Sequence, residues 1–182
     1  SVSLSGDGTT VAIGAPYNDG INGINSGHVR VYEYSSSSWT QLGADIDGEW
    51  TNDHSGWSVS LSDDGTIVAI GAPENGSIDN GHVRVRKYSG GTWSQLGVDI
   101  DGETADDGSG SAVSLSGDGT IVAIGAPYNE LQSNYPNRGH VRVYERASGV
   151  GIEETNILNL TSLNPNPNNG YFRIEVDQRH IG

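Results

Sequence analysis

Apolar residues in this chain come in short runs, each closed by a cluster of Gly, Asp, Asn or Ser. "SVSLS" is followed after one "GDG" turn by the apolar run "TVAIGA". An Asn- and Gly-rich stretch then leads to "HVRVYEY", and a Ser-rich turn to "WTQL". Runs of this length bounded by turn residues predict β-strands, here over residues 2–5, 10–15, 28–34 and 39–42. "SGDG" predicts a tight hairpin, because Gly accepts a positive φ at little cost.

The pattern then repeats. "SLSGDGTTVAIGAP" returns as "SLSDDGTIVAIGAP" and again as "SLSGDGTIVAIGAP", the unit recurring after 57 and then 54 residues. "GHVRVY" begins at Gly27, and its counterparts begin at Gly81 and Gly139; "WTQLGADIDGE" from Trp39 is echoed by "WSQLGVDIDGE" from Trp93. A unit of four short strands at this period predicts an all-β protein built of four-stranded antiparallel β-propeller blades. The run "VAIGA" is apolar on both alternations, as a strand covered on both faces by neighbouring blades requires. A solenoid is the competing architecture, but its coils are usually shorter. A sandwich would not repeat its whole sequence. The blades are expected at about 1–57, 58–111 and 112–146, a partial propeller whose last blade lacks its "W-x-QLG" strand. Residues 147–157 are expected as a linker, and 158–182 as a short C-terminal β segment.

The order "SVSLS-x-DG-x-x-VAIGAP … GHVRVY" resembles the FG-GAP-like repeat of integrin-α-type propellers, over 1–146 and in three copies. Its most specific piece is the Gly-Ala-Pro at Gly14, Gly71 and Gly125. The leading Phe-Gly of that repeat is here Ser55-Gly56 and Ser109-Gly110. Many such repeats carry an Asp-rich calcium loop in the first hairpin. This chain offers Asp7, Asp63 with Asp64, and Asp118 there, fewer than the six to eight oxygens that calcium takes, so the hairpin is read as a turn.

Further on, "LNPNPNNGYFRIEVD" resembles the start of the type A C-terminal sorting domain of the type IX secretion system of Bacteroidetes. The matching residues are Pro165, Asn166, Pro167 and Gly170, with alternating Phe172, Ile174 and Val176. Asn164 replaces the aromatic or aliphatic residue usual before the first Pro. The resemblance implies a bacterial protein, secreted or held at the outer-membrane surface, with the type IX machinery as a partner.

Composition narrows the chemistry. Of 182 residues, 27 are Gly, which without a triplet period fits many tight turns. Only 34% are hydrophobic, and 23 acidic against 9 basic residues give a net charge of −14, which repels a phosphate backbone and argues against nucleic acid. Cys is absent, so disulfides and Cys-ligated metals are excluded. No apolar run reaches the roughly 18 residues of a membrane span. Met is absent even at position 1, and the chain is expected to be a fragment or a processed product. Three blades do not make a ring of the usual four to eight, so uncovered blade faces and self-association are expected.

The candidate metal ligands are Asp45, Asp47, Glu49 and Asp53 of "DIDGEWTND" and Asp99, Asp101, Glu103 and Asp107 of "DIDGETADD", both in connections between blades. Asp-x-Asp followed by Gly and Glu resembles the start of a hard-cation loop, for which Ca²⁺ is the candidate ion. Solvated turns, with Asp capping backbone N–H groups, are the alternative. His28, His82 and His140, with Arg30, Arg84 and Arg142, recur once per blade and are read as structural, because catalytic groups are unique in a chain. No Ser-His-Asp, paired-carboxylate or phosphate-loop arrangement stands out, and no catalytic residue is expected. The loops 17–26, 74–80 and 128–138 differ most between copies, which places ligand contacts there. The expected function is a non-catalytic binding or adhesion module for a protein or glycan ligand. The alternative is an accessory propeller of a secreted polysaccharide-degrading enzyme.

Overall fold

The structure, a computed structural model, describes residues 1–76, 79–129 and 139–146. The expected linker and the sorting segment with Pro165, Asn166, Pro167 and Gly170 lie outside the described residues. Every regular element among the described residues is a strand, and the sheets are antiparallel.

The first blade holds β1 (Val2–Leu4), β2 (Thr10–Ala15), β3 (His28–Ser35), β4 (Ser38–Gln41) and β5 (Ile46–Asp47). The second holds β6 (Ser58–Leu61), β7 (Ile67–Ala72), β8 (His82–Ser89), β9 (Thr92–Gln95) and β10 (Ile100–Asp101). The third holds β11 (Ala112–Leu115), β12 (Ile121–Ala126) and β13 (His140–Glu145). Strands β1–β4, β6–β9 and β11–β13 each pair consecutively as a meander, and β5 and β10 pair back onto β3 and β8.

The turn "S-x-D-G-T" is a self-contained cassette. Asp7 Oδ1 accepts from Ser5 Oγ (2.8 Å), the Thr9 N–H (2.9 Å) and Thr9 Oγ1 (2.9 Å), while Gly8 takes φ +73°. Asp64 and Asp118 repeat this with Ser62 and Thr66, and with Ser116 and Thr120. The carboxylate is thus used within its own turn, as the hairpin reading requires.

The outer strand differs from the sequence reading. It is split: β4 pairs with the second half of β3 (Tyr32 opposite Gln41), and β5 with the first half (Val29 opposite Ile46). Between them Gly43, at φ +70°, Ala44 and Asp45 bulge out opposite Arg30. A bulge re-aims a side chain, and this one turns Asp45 onto the Arg30 guanidinium, with contacts of 2.9–3.0 Å. Ile46 and Asp47 of "DIDGE" are therefore strand rather than connection.

Two apolar seams hold the blades together. Ala12, Val29, Val31 and Ile46 of the first blade pack on Val59, Leu61, Val68 and Ile70 of the second. Ala69, Val83, Val85 and Ile100 of the second pack on Val122, Ile124 and Tyr144 of the third. Strand β7, between both seams, is buried at every residue, which explains its unbroken apolar run. Innermost strands are edges whose N–H groups need partners, and the neighbouring blade supplies them. Ser3 Oγ accepts the Leu61 N–H (3.0 Å), and Ser60 Oγ accepts the Leu115 N–H (2.9 Å).

Candidate functional site

Strand alternation sends the β2–β3 and β7–β8 loops and both inter-blade connectors to one end of the blades, opposite the "SGDG" hairpins. Loop 17–26 lies on the first connector: Asn22 Nδ2 donates to the Gly48 carbonyl (2.6 Å), the Asn52 N–H to the Ile24 carbonyl (2.9 Å), and the His54 N–H to the Asn25 carbonyl (3.1 Å). Each connector is tied from inside by one buried carboxylate. Asp53 Oδ2 accepts the N–H groups of Glu49 and Trp50, both at 2.7 Å. Asp107 accepts from the N–H groups of Glu103 (3.0 Å) and Thr104 (2.8 Å), from Thr104 Oγ1 (2.6 Å) and from Asn129 Nδ2 (2.9 Å). Burial alone would raise the Asp107 carboxyl, but the bonds from Thr104, Asn129 and Glu103 outweigh it and hold it below the usual carboxylate range.

The remaining connector carboxylates gather around the repeated His and Arg. Ligand atoms of His28, Asp45 and Asp47 lie within 4.8 Å of one another, as do those of Glu49, His82 and Asp99. Each cluster already contains a cation. Arg30 grips Asp45 and, ahead of the Gln41 hydrogen bond, holds its carboxyl below the ordinary value. Arg84, almost fully buried, donates to Glu49 Oε1 (3.1 Å), to the Asp47 carbonyl (2.7 Å) and to Ser55 Oγ (3.3 Å). Asp99 accepts from Gln95 Nε2 at 2.9 Å. At the next seam Arg142 donates to the Asp101 carbonyl (3.1 Å) and lies 4.0 Å from Glu103, which faces His140 at 3.7 Å. Burial, with the charge of Arg84 adding to it, pushes His82 below the usual imidazole value despite Asp99, Glu49 and Asp53. Of the eight candidate ligands, Asp45 and Asp47 thus meet at His28, Glu49 and Asp99 at His82, and Glu103 with the Asp101 backbone at the His140 seam. Asp53 and Asp107 serve as turn caps.

A different site was less visible in the sequence. A cleft of about 410 Å³ opens on the connector face, lined by Trp57, Pro73, Glu74, Asp79, Asp106, Gly108, Ser111 and Tyr128. Trp57 and Tyr128 are 40% and 56% exposed, so both rings are available to a ligand. Tyr17 meets Trp57 edge-on at 6.2 Å and His54 at 5.0 Å, extending the aromatic surface. His54 has a φ of +53°, where the second connector has Gly108 at +63°, and its Nδ1 lies 3.0 Å from Glu74 Oε2. A non-Gly residue in that region is uncommon, and here it places an imidazole beside the Glu74 carboxylate. Glu74, Asp79 and Tyr128 belong to the loops that sequence variation singled out. Trp57 does not, and the signal for it was its replacement by Ser111 in the next copy.

No protein-family model matches the chain, and no curated protein matches it in sequence. Among solved structures it is similar to a candidate 6-phosphogluconolactonase from Bacteroides uniformis, with 14% identity and a TM-score of 0.52, over 83% of this chain and 37% of that one. A hypothetical selenium-binding protein from Sulfolobus tokodaii gives 14% identity and 0.51, over 87% and 40%. TolB from Acinetobacter baumannii gives 18% and 0.44, over 87% and 31%. The chain spans less than half the length of each. The likeness is to propeller folds and concerns the fold alone.

Proposed function

We propose that the chain is a non-catalytic β-propeller binding module, secreted or displayed at a bacterial outer-membrane surface, whose connector face recognises a glycan. The observation that carries this reading is the cleft between Trp57 and Tyr128. Two exposed rings offer flat faces for the C–H side of a sugar ring, and Glu74, Asp79, Asp106 and Ser111 offer oxygens to its hydroxyls. Among the described residues three carboxylates and no basic side chain line the cleft, so a neutral oligosaccharide suits it better than a uronic or sulfated one. The export reading is supported by the sorting-domain resemblance around Pro165, Asn166, Pro167 and Gly170, and the adhesion reading by the FG-GAP-like repeat.

A glycan array probed with the full chain tests this. Binding is expected among neutral oligosaccharides, and Trp57→Ala is expected to weaken it by about 1–3 kcal/mol, the order of one ring stack, in a chain whose circular dichroism is unchanged. Binding confined to anionic glycans, or no glycan binding by the folded chain, would sink the reading.

A further inference from the structure

The first and second blades put the same Arg and Asp positions to different use. In the first, Arg30 holds both oxygens of Asp45 through Nε and Nη2. In the second, Gly97 at φ +83° stands where Gly43 starts the bulge, and Asp99 is the counterpart of Asp45. Here the first connector has drawn the arginine away. Arg84 donates from its two Nη atoms to Glu49, the Asp47 carbonyl and Ser55, and its Nε has no hydrogen-bond partner among the described residues. Asp99 keeps the bond from Gln95 Nε2, on Oδ1, and no arginine grips it among the described residues.

His82, the first residue of β8, is 2% exposed. Its Nε2 is buried without a hydrogen-bond partner among the described residues. One ring nitrogen of His82, one oxygen of Glu49 and one oxygen of Asp99 lie within 4.8 Å of one another. An imidazole at that depth with no partner costs free energy unless something takes up its lone pair or its proton. Burial disfavours the protonated ring, so the lone pair is there to be given.

We propose that Glu49, His82 and Asp99 form a binding site for a divalent transition-metal ion of the Zn²⁺ class, which pins the first connector to the second blade. One imidazole nitrogen with two carboxylate oxygens is the donor set of such an ion, whereas Ca²⁺ takes oxygens. Ligand atoms at about 2.0–2.2 Å from Zn²⁺ stand roughly 3.3 Å apart, so small side-chain rotations close the set. Glu49, its side chain 36% exposed, supplies that freedom and the path from solvent. The carboxylates are already steadied on one side, Glu49 Oε1 by Arg84 and Asp99 Oδ1 by Gln95, which leaves Oε2 and Oδ2 for the ion. Arg84 and Arg86 stand against Glu49, Asp99 and Asp53, so negative charge remains to receive a dication. The cluster at His28 lacks this opening, because Arg30 occupies both oxygens of Asp45.

Calorimetric titration of Zn²⁺ into the full chain, first stripped with a chelator, should give one tight site per chain. Co²⁺ in its place should show the visible absorption of a four-coordinate nitrogen–oxygen site, free of thiolate bands because the chain has no Cys. Glu49→Gln and Asp99→Asn, near-isosteric changes at partly exposed residues, leave far-UV circular dichroism unchanged. Each should weaken Zn²⁺ by at least about a hundredfold, the upper end of what losing a residue that only supports a ligand costs. His82→Gln should abolish the Co²⁺ spectrum. A folded wild-type chain without a tight Zn²⁺ site, a site that survives both carboxylate variants, or one that takes Ca²⁺ in preference to Zn²⁺ overturns the proposal.

Discussion

Gly71 shows how one residue can decide a seam. Its φ is not in the left-handed region, so its need for glycine is purely steric: a methyl there would overlap the Gly110 carbonyl oxygen where the next blade's chain crosses it. Gly14 stands in the same relation to Gly56, whereas among the described residues the nearest atom to a methyl on Gly125 is Ala112 Cβ, at 3.5 Å. Gly71→Ala is therefore expected to destabilise by about 1–3 kcal/mol or more, through overpacking against backbone that cannot move aside. Gly125→Ala should be close to neutral. Urea unfolding of the two variants checks this, and equal effects would contradict the seam geometry. The "GAP" signature thus has a mechanical cause, in that its glycine is the point where one blade's strand meets the next blade's backbone.

At the scale of elements, the hairpin cassette and the connectors respond to pH in separate windows. Hydrogen bonds from Ser116 and from the N–H and hydroxyl of Thr120 pull Asp118 down from 3.8 to about 2, and Asp7 and Asp64 move the same way. A depressed carboxyl contributes stability that is complete above its unfolded value and is lost as pH falls, here between about 4 and 2. His82 and His140 are also depressed, both chiefly by burial, so their contribution is present above about 6.5 and declines as pH falls below it. Urea midpoints measured across pH should show both declines. Asp118→Asn should lower stability at neutral pH and shrink the lower decline, and an unchanged acid profile would contradict the cassette. Most of these elements were legible in the sequence, because turn chemistry and strand alternation are local and the threefold repeat reinforced them. The split outer strand was not. Asp45 and Asp47 look like loop carboxylates until β3 is known to leave its first half unpaired, and only the tertiary pairing of Val29 with Ile46 shows that. Trp57 likewise reads as an ordinary strand-flanking residue, since a cleft formed from two connected blades has no one-dimensional signature.

For the whole molecule, the repeat and the variation between its copies do different work. Residues that recur, the Ser, Gly, His and Arg of each blade, are spent on turns and seams. Those that differ, Trp57, Glu74, Asp79 and Asp106, gather on one face around one cleft, beside Tyr128. A net charge of −14 favours neutral or cationic ligands over anionic ones at that face. In the proposed function this face, and not the hairpin end, meets the ligand. Hydrogen–deuterium exchange with and without a saturating neutral oligosaccharide selected on the array tests it most directly. Protection is predicted in peptides around Trp57, Pro73–Glu74, Asp106–Ser111 and Tyr128, with the hairpins at Asp7, Asp64 and Asp118 unchanged. Protection centred on those hairpins, or spread over the outer strands β4 and β9, would place the ligand elsewhere and overturn the proposed connector-face site.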